Sequence, residues 1–290
     1  MKLGLIGLGR MGQGLMERAR RGGHEFVGYD ANPAVSPTTA IADVISRLGS
    51  APRIVWVMVP AGEITQKVID EVASHLGAGD VIIDGGNSYS RDGVRRSEAL
   101  AQRGIRFVDA GTSGGIWGLE VGFCLMVGGP RETFDLLEPL FATLAPKDGY
   151  AYLGPAGAGH FAKMVHNGIE YAMLEAYAEG FNLLHAAEFD YDLGKIASLW
   201  NNGSVVRSWL LELGASALQK DPSLEHLKAY VDDSGEGRWT VNEAIERSVP
   251  VPVIAQSLFA RFDSRDDNSF AMRYIAALRN EFGGHAVKEA

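Results

Sequence analysis

One cysteine, Cys124, among 290 residues excludes an intrachain disulfide framework, and no Cys/His cluster has zinc-finger spacing. The fold must rest on apolar burial, and a reducing compartment fits. No apolar run reaches the ~18 residues of a membrane span. The apolar start, residues 3–8, is too short for a secretory h-region and soon meets Arg10. The expectation is a cytoplasmic protein with no membrane partner. Basic residues are the minority: 27 Lys and Arg against 36 Asp and Glu leave a net charge of −9, which opposes nonspecific attraction to nucleic acid or anionic lipid. A basic groove interleaved with aromatics is lacking too, so no nucleic-acid partner is expected. Any phosphate ligand must be small and locally held. Low-complexity tracts are absent and no internal repeat of about 20–50 residues is found, which removes the solenoid architectures.

What is present is enough chain for one large or two ordinary domains at about 150 residues each. With 46% hydrophobic and 22% charged residues, the composition is that of a chain that folds unaided. Residues 2–7, 25–30, 53–59, 80–84, 105–109 and 123–128 read as strands, with helical stretches at 10–21, 63–75 and 91–103 between them. This alternation predicts an α/β fold: an N-terminal Rossmann-type, mostly parallel sheet covered on both faces, with the late strands free to pair differently. After Gly154-Pro155-Ala156-Gly157 the β pattern gives way to long helical periodicities, broken near 201–203, 221–222 and 232–237. The expected domains are 1–156, dinucleotide-binding, and 157–290, an all-helical C-terminal domain.

The first strand runs into Gly7-Leu8-Gly9-Arg10-Met11-Gly12, a GxGxxG between a strand and a helix, and all six residues are cofactor-binding candidates. Gly7 suits a tight turn, Gly9 lets backbone N–H groups approach a pyrophosphate, Gly12 permits close helix–sheet packing, and the helix N-terminus adds positive potential. Glycines that merely turn the chain are the plainer alternative. Asp30 ends the second strand 18 residues beyond Gly12. From there a carboxylate accepts hydrogen bonds from the adenosine ribose hydroxyls and repels a 2′-phosphate, which favours NAD over NADP. The alternative is a cap on the turn before Asn32-Pro33. Met58, Val59 and Pro60 would line the cofactor crevice, or form an ordinary strand end.

Lys163, His166, Asn167 and Glu170 are spaced i, i+3, i+4 and i+7, so a helix places all four on one stripe, with Met164, Val165, Ile169 and Ala172 pointing elsewhere. On an arbitrary helix such a stripe is a solvated face. Here it opens the helical half directly after the cofactor half and mixes an amine, an imidazole, an amide and a carboxylate. It also contains Gly168, which permits close approach by substrate or a neighbouring helix. A lysine in a dehydrated cleft can act as base toward a hydroxyl, and a glutamic acid held protonated can return a proton to carbon.

The glycine-rich start, Ile83-Asp84-Gly85-Gly86-Asn87-Ser88, Asp109-Ala110-Gly111-Thr112-Ser113-Gly114-Gly115, Lys163-Met164-Val165-His166-Asn167-Gly168-Ile169-Glu170-Tyr171 and Arg279-Asn280-Glu281-Phe282-Gly283-Gly284-His285 together resemble the 6-phosphogluconate dehydrogenase family. This is the decarboxylating branch of the β-hydroxyacid dehydrogenase superfamily, and the resemblance covers nearly the whole chain. It implies oxidative decarboxylation of 6-phosphogluconate to ribulose 5-phosphate and CO2, with hydride passing to NAD. By the resemblance Lys163 takes the C3 hydroxyl proton, then serves the carbonyl oxygen as CO2 leaves, and Glu170 protonates C1 of the enediol. No metal is implied where that ammonium supplies the electrophile. Ser113, Gly114 and Gly115 would hold the substrate carboxylate, although a flexible turn is their plain reading. Asn87, His166 and Asn167 would fix the hydroxyls beside the nicotinamide, with Asn87 also against the cofactor. Tyr171, Arg261, Arg279 and His285 match positions that grip the sugar phosphate, the last two reaching into a partner's site. The resemblance therefore implies an obligate homo-oligomer completed by the C-terminal tail.

The chain departs from the family in two ways. Long members carry a duplicated helical half for which this chain is too short, so it resembles the short form, in which two subunits interlock helical domains. The loop 233–240 lacks the lysine and threonine that hold phosphate in the long form, leaving Arg238 either to substitute for them or to pair with nearby acids. Two rival readings stand beside the main one. A sister β-hydroxyacid dehydrogenase acting on a nonphosphorylated acid is opposed by Tyr171, Arg261, Arg279 and His285. A catalytically silent nucleotide-binding sensor is opposed by the intact Lys163 and Glu170.

Overall fold

The computed structural model describes residues 1–283 and 286–288. Its first half alternates β1 (Lys2–Ile6), α1 (Arg10–Arg21), β2 (Glu25–Tyr29), α2 (Ile41–Ser46), β3 (Ile54–Val57), α3 (Glu63–Ser74), β4 (Val81–Asp84), α4 (Ser90–Ala101) and β5 (Arg106–Ser113). Then follow α5 (Gly118–Val121), β6 (Cys124–Gly128), α6 (Arg131–Leu144) and β7 (Tyr150–Gly154). The strands form one seven-stranded sheet in the order β2-β1-β3-β4-β5-β6-β7. All neighbours are parallel except β5 and β6. The mostly parallel sheet expected from the sequence is thus present, and the different pairing left open for the late strands is this antiparallel step. It extends β5 to Ser113, past the 105–109 read from the sequence. β7 was not read as a strand; it lies at the sheet edge, where its alternate residues stay exposed and no continuous apolar run is required.

Period-two alternation sends each central strand's side chains to two cores. Leu3, Leu5, Ile54, Trp56, Val81 and Ile83 pack with Leu15 and Ala19 of α1 and Phe134, Leu137 and Phe141 of α6. Ile6, Val55, Val57 and Ile82 pack on the other face with α2, α3 and α4 through Val44, Ile69, Val72 and Leu100. The order reverses between β1 and β3, since the chain runs out to β2 before returning. That leaves a crevice at the carboxyl ends of β1 and β3, where an open α/β sheet takes its ligand.

The remainder is helical: α7 (Ala158–His185), α8 (Leu193–Trp200), α9 (Trp209–Lys220), α10 (Glu236–Glu246), α11 (Pro252–Asp263) and α12 (Phe270–Gly283). Asp192 and Ser208 cap α8 and α9 through their side chains. The two compact units are Met1–Asn167 and Gly168–Ala290, so the division falls within α7. Among the described residues no helix is long and apolar enough to cross a membrane.

Candidate active site

The crevice end of β1 is built by its glycines. Gly7 has φ 100°, and a side chain there would run into the Met58 carbonyl. A side chain at Gly12 would meet the Gly7 carbonyl, so α1 starts flush against the turn. Around Gly9 a Cβ would meet nothing within 4 Å. No side chain caps α1, which leaves its first N–H groups for a ligand or water. Leu8 contributes backbone only, because its side chain is buried beneath Gly28. Arg10 and Pro60 are exposed, and Met11, Met58 and Val59 are half-buried. Asp30 Oδ2 accepts from the Leu8 N–H at 2.6 Å and Oδ1 from the Asn32 N–H at 2.8 Å. It therefore caps the turn as the plainer alternative expected, ties the end of β2 to the glycine turn, and keeps a second lone pair on each oxygen. An open glycine turn, an uncapped helix start and a carboxylate beside them fit a dinucleotide.

A second cluster forms where β5 meets the start of α7. Lys163 is buried, 6% exposed, and its stem lies on Gly111, where an added Cβ would stand 2.5 Å from Lys163 Cβ. Ser113 Oγ is 3.3 Å from His166 Nε2, and His166 Nδ1 is 2.9 Å from Asn167 Oδ1. A neutral imidazole protonated on Nδ1 satisfies both contacts, donating to the amide oxygen and accepting from the hydroxyl. Gly114 and Gly115 follow with φ 126° and 54°, a left-handed backbone that turns β5 away. The space where a Gly115 side chain would stand is open. The structure thus gathers Lys163, His166, Asn167 and Ser113 on one corner, with a bare backbone segment next to them.

Two further parts of this unit went unread in the sequence. Asn87 is exposed at the end of β4, on a loop held from beneath by an ion pair. Buried Arg96 of α4 donates to Asp84 Oδ2 at 2.8 Å, Ser88 Oγ at 3.3 Å and Gln66 Oε1 at 3.0 Å. Asp84 Oδ1 accepts from the Gly86 N–H at 3.2 Å. Nothing in the local pattern marks Arg96, whose partners lie 8 to 30 residues away. Asp109 also binds backbone of α7. It sits inside one of the motifs already singled out, which was its only sequence signal.

In the second unit, Glu170 is half-buried on α7 and Gly168 meets Thr240 of α10, so the close approach at that glycine is by a neighbouring helix. Tyr171 and Arg261 are brought together: the guanidinium lies 3.4 Å from the ring centroid and Nη1 donates to the Asp232 carbonyl at 2.8 Å. The Tyr171 hydroxyl accepts from the Ser234 N–H at 3.1 Å. Arg238 pairs with an acid, as one of its two alternatives held: it grips Asp233 at 2.6 and 3.0 Å, and Arg265 joins at 2.9 Å. The Arg238 hydrogen bond, with Arg265 added and burial opposing, holds the Asp233 carboxyl below its usual range. Arg279 is exposed on α12, outside this cluster. His285 lies outside the described residues. Among the described residues no group of three or more His, Cys, Asp or Glu can hold a metal ion.

The family model for the NAD binding domain of 6-phosphogluconate dehydrogenase matches residues 2–154, and that for the 6-phosphogluconate dehydrogenase C-terminal domain matches 159–288. A Haloferax volcanii protein named 6-phosphogluconate dehydrogenase, NAD(+)-dependent, decarboxylating, is 46% identical over 298 residues, covering 99% of this chain and 98% of the relative. Among solved structures, Plasmodium falciparum 6-phosphogluconate dehydrogenase, studied in its apo form, with NADP+ and with 6-phosphogluconate, superposes with a TM-score of 0.82 at 26% identity. That match covers 100% of this chain and 66% of the Plasmodium chain. Mycobacterium tuberculosis 3-hydroxyisobutyrate dehydrogenase, at TM-score 0.72 and 18% identity over 92% of this chain and 94% of its own, shares the fold.

Proposed function

The chain belongs to the 6-phosphogluconate dehydrogenase family, and we propose that it converts 6-phosphogluconate to ribulose 5-phosphate and CO2 with NAD as the preferred cofactor. The observation that carries this reading is the buried Lys163 seated on Gly111 beside the Ser113–His166 pair. NAD supplies the hydride acceptor; the glycine turn and the first turn of α1 would hold its pyrophosphate, and Asp30 its adenosine ribose.

Lys163 Nζ takes the proton of the C3 hydroxyl as the C3 hydrogen leaves with its electron pair. The resulting ammonium donates to the C3 carbonyl oxygen, which accepts the electron pair released when the bond to the carboxylate breaks and CO2 departs. Glu170 then returns a proton to the carbon that carried the carboxylate, while Lys163 recovers the enol proton. Ser113, Gly114 and Gly115 hold the carboxylate before it leaves, and Asn87, His166 and Asn167 hold the hydroxyls. Tyr171 and Arg261 receive the phosphate, and the pairing of Arg238 with Asp233 supports leaving Arg238 out of that set.

The helical half associates with a second copy, whose Arg279 and His285 complete the phosphate site. The support is α12: residues 270–281 are all exposed, yet include Phe270, Met272, Tyr274, Ile275 and Leu278. A 14-residue helix with so many bare apolar side chains is marginal in water without a surface to cover it. The single cysteine supports a cytoplasmic setting.

The test is the initial rate of reduced-cofactor formation from 6-phosphogluconate, in chelator, with NAD+ and NADP+ compared and CO2 followed in parallel. CO2-coupled turnover favouring NAD+ is expected. Absence of turnover with either cofactor overturns the substrate assignment, and preference for NADP+ overturns the role given to Asp30. For the tail, a chain ending before Arg279 is mixed with Lys163→Met chains. Activity regained from two inactive partners is expected, and persistent inactivity in mixed dimers overturns the shared site.

A further inference from the structure

We propose that Asp109 is a positioning residue of this reaction, a buried carboxylate of β5 that sets where Lys163 stands; the inference rests on Lys163 as the proton-transfer group. Three observations meet here. The residue before α7 is Gly157, with φ 93° and no side chain, so the helix has no cap at that position. Asp109, 0% exposed, supplies it from 48 residues away: Oδ1 accepts from the Gly157 N–H and Oδ2 from the His160 N–H, both at 2.7 Å. One carboxylate thereby binds the two N–H groups that a local capping box would satisfy with two side chains, and places negative charge at the positive end of the helix dipole.

The first turn of α7 is also seated without slack. Cβ atoms added at Gly159 would press on the Asp109 and Met126 carbonyls, and at Gly128 on Asp109 Oδ1 and the Gly159 N–H. Lys163 follows His160 by under one helical turn, and its stem rests on Gly111, two residues along the same strand as Asp109. The carboxylate and the floor under the lysine are therefore one piece of β5. A shift of α7 along that strand carries the amine with it, and Ser113, at the strand's end, stays behind. Proton transfer is sensitive to such shifts: about 1 Å can cost on the order of 100-fold in rate.

The test compares Asp109→Asn with Asp80→Asn. Asp80 is an equally buried carboxylate holding the Gly77 and Arg53 N–H groups away from any proposed site residue. Both variants are expected to melt earlier. Asp109→Asn should lose about 10–100-fold in kcat with KM for NAD+ within about twofold, and the deuterium isotope effect on kcat with 6-phosphogluconate deuterated at C3 should rise. Asp80→Asn should leave kcat per cofactor-binding site and the isotope effect unchanged. Equal kcat and isotope effect in the two variants overturns the proposal.

Should Asp109→Asn not fold, Gly111→Ala carries the same test with the carboxylate intact, by pushing on the lysine stem. Loss of kcat supports the proposal, and a lower melting point with unchanged kcat overturns it. Lys163→Met separates the two levels: if it retains turnover, the reading of Lys163 fails. If it is inactive while Asp109→Asn keeps its kcat and isotope effect, only the positioning role fails.

Discussion

Met1–Asn167 and Gly168–Ala290 solve the burial problem differently. The first unit encloses aliphatic and aromatic side chains on both faces of its sheet and leaves its bare features at the ligand-facing glycines. Among its described residues the second has a small buried cluster, Ala197, Leu211 and Ala215, edged by Tyr177, Phe181, Trp200 and Leu218. It leaves Leu183 at 75% and Phe270 at 71% exposure. Asp233, by contrast, is paired within the unit between two arginines, and Tyr171 lies between Arg261 and the Ser234 backbone. Open apolar faces are what the proposed association with a second copy would cover, whereas closed cores with an open glycine turn suit a small ligand.

The contrast can be broken in several places. Lys163→Met should cost about 10²–10⁴-fold in kcat, the usual reach of general acid–base catalysis, while cofactor affinity measured by titration stays unchanged because the glycine turn is untouched. Loss of both together would mean that the corner at β5 and the crevice at β1 are not separable. Leu137→Ala, inside a closed core, should remove about 2–5 kcal/mol, by an amount independent of protein concentration in denaturant titrations. Ile275→Asp, on the exposed α12, should instead shift sedimentation toward the single chain and make the unfolding midpoint less dependent on concentration. An unchanged association state in that variant would remove α12 from the interface.

Arg261→Met should raise KM for 6-phosphogluconate by about 10–100-fold, the range of a charge-assisted hydrogen bond, with KM for NAD+ unmoved. An effect on NAD+ alone would place the phosphate elsewhere. The smallest expected effect is on acid stability. Burial raises the Asp80 carboxyl, but the Gly77 and Arg53 N–H groups and the Arg53 guanidinium outweigh it and hold the group below its usual range. Asp233 is lowered by Arg238 first. For a lowered carboxyl the stabilisation is complete above the unfolded value of about 4 and disappears as pH falls through the folded value. Asp80→Asn and Asp233→Asn should each flatten the loss of stability below about pH 4. A variant whose acid limb matches that of the unaltered protein would show that its ion pair adds nothing in that unit.

Much of the first unit was legible because its signals are local. A GxGxxG between a strand and a helix, an aspartate at the end of the second strand and runs of aliphatic residues each depend on neighbours within a few positions, and the sheet follows from them. The Lys163 stripe was legible for the same reason, helical periodicity being a property of one segment. The edge strand β7 was not, since an edge needs no apolar run. Arg96 was not, since its partners come from other elements. For Arg238 both outcomes were open, and the choice fell to Asp233, five residues away.

The sequence by itself therefore determined the fold class, six of the seven strands, the family and the candidates for moving protons, all written in short-range patterns. Tertiary structure alone decided which of those residues meet: that Ser113 reaches His166 across 53 positions, that Lys163 rests on Gly111, and that Asp109 supplies the cap Gly157 lacks. The physical reason is that a hydrogen bond or a close backbone approach between distant segments leaves no periodicity in either one. It exists only once the sheet has brought β5 beneath α7.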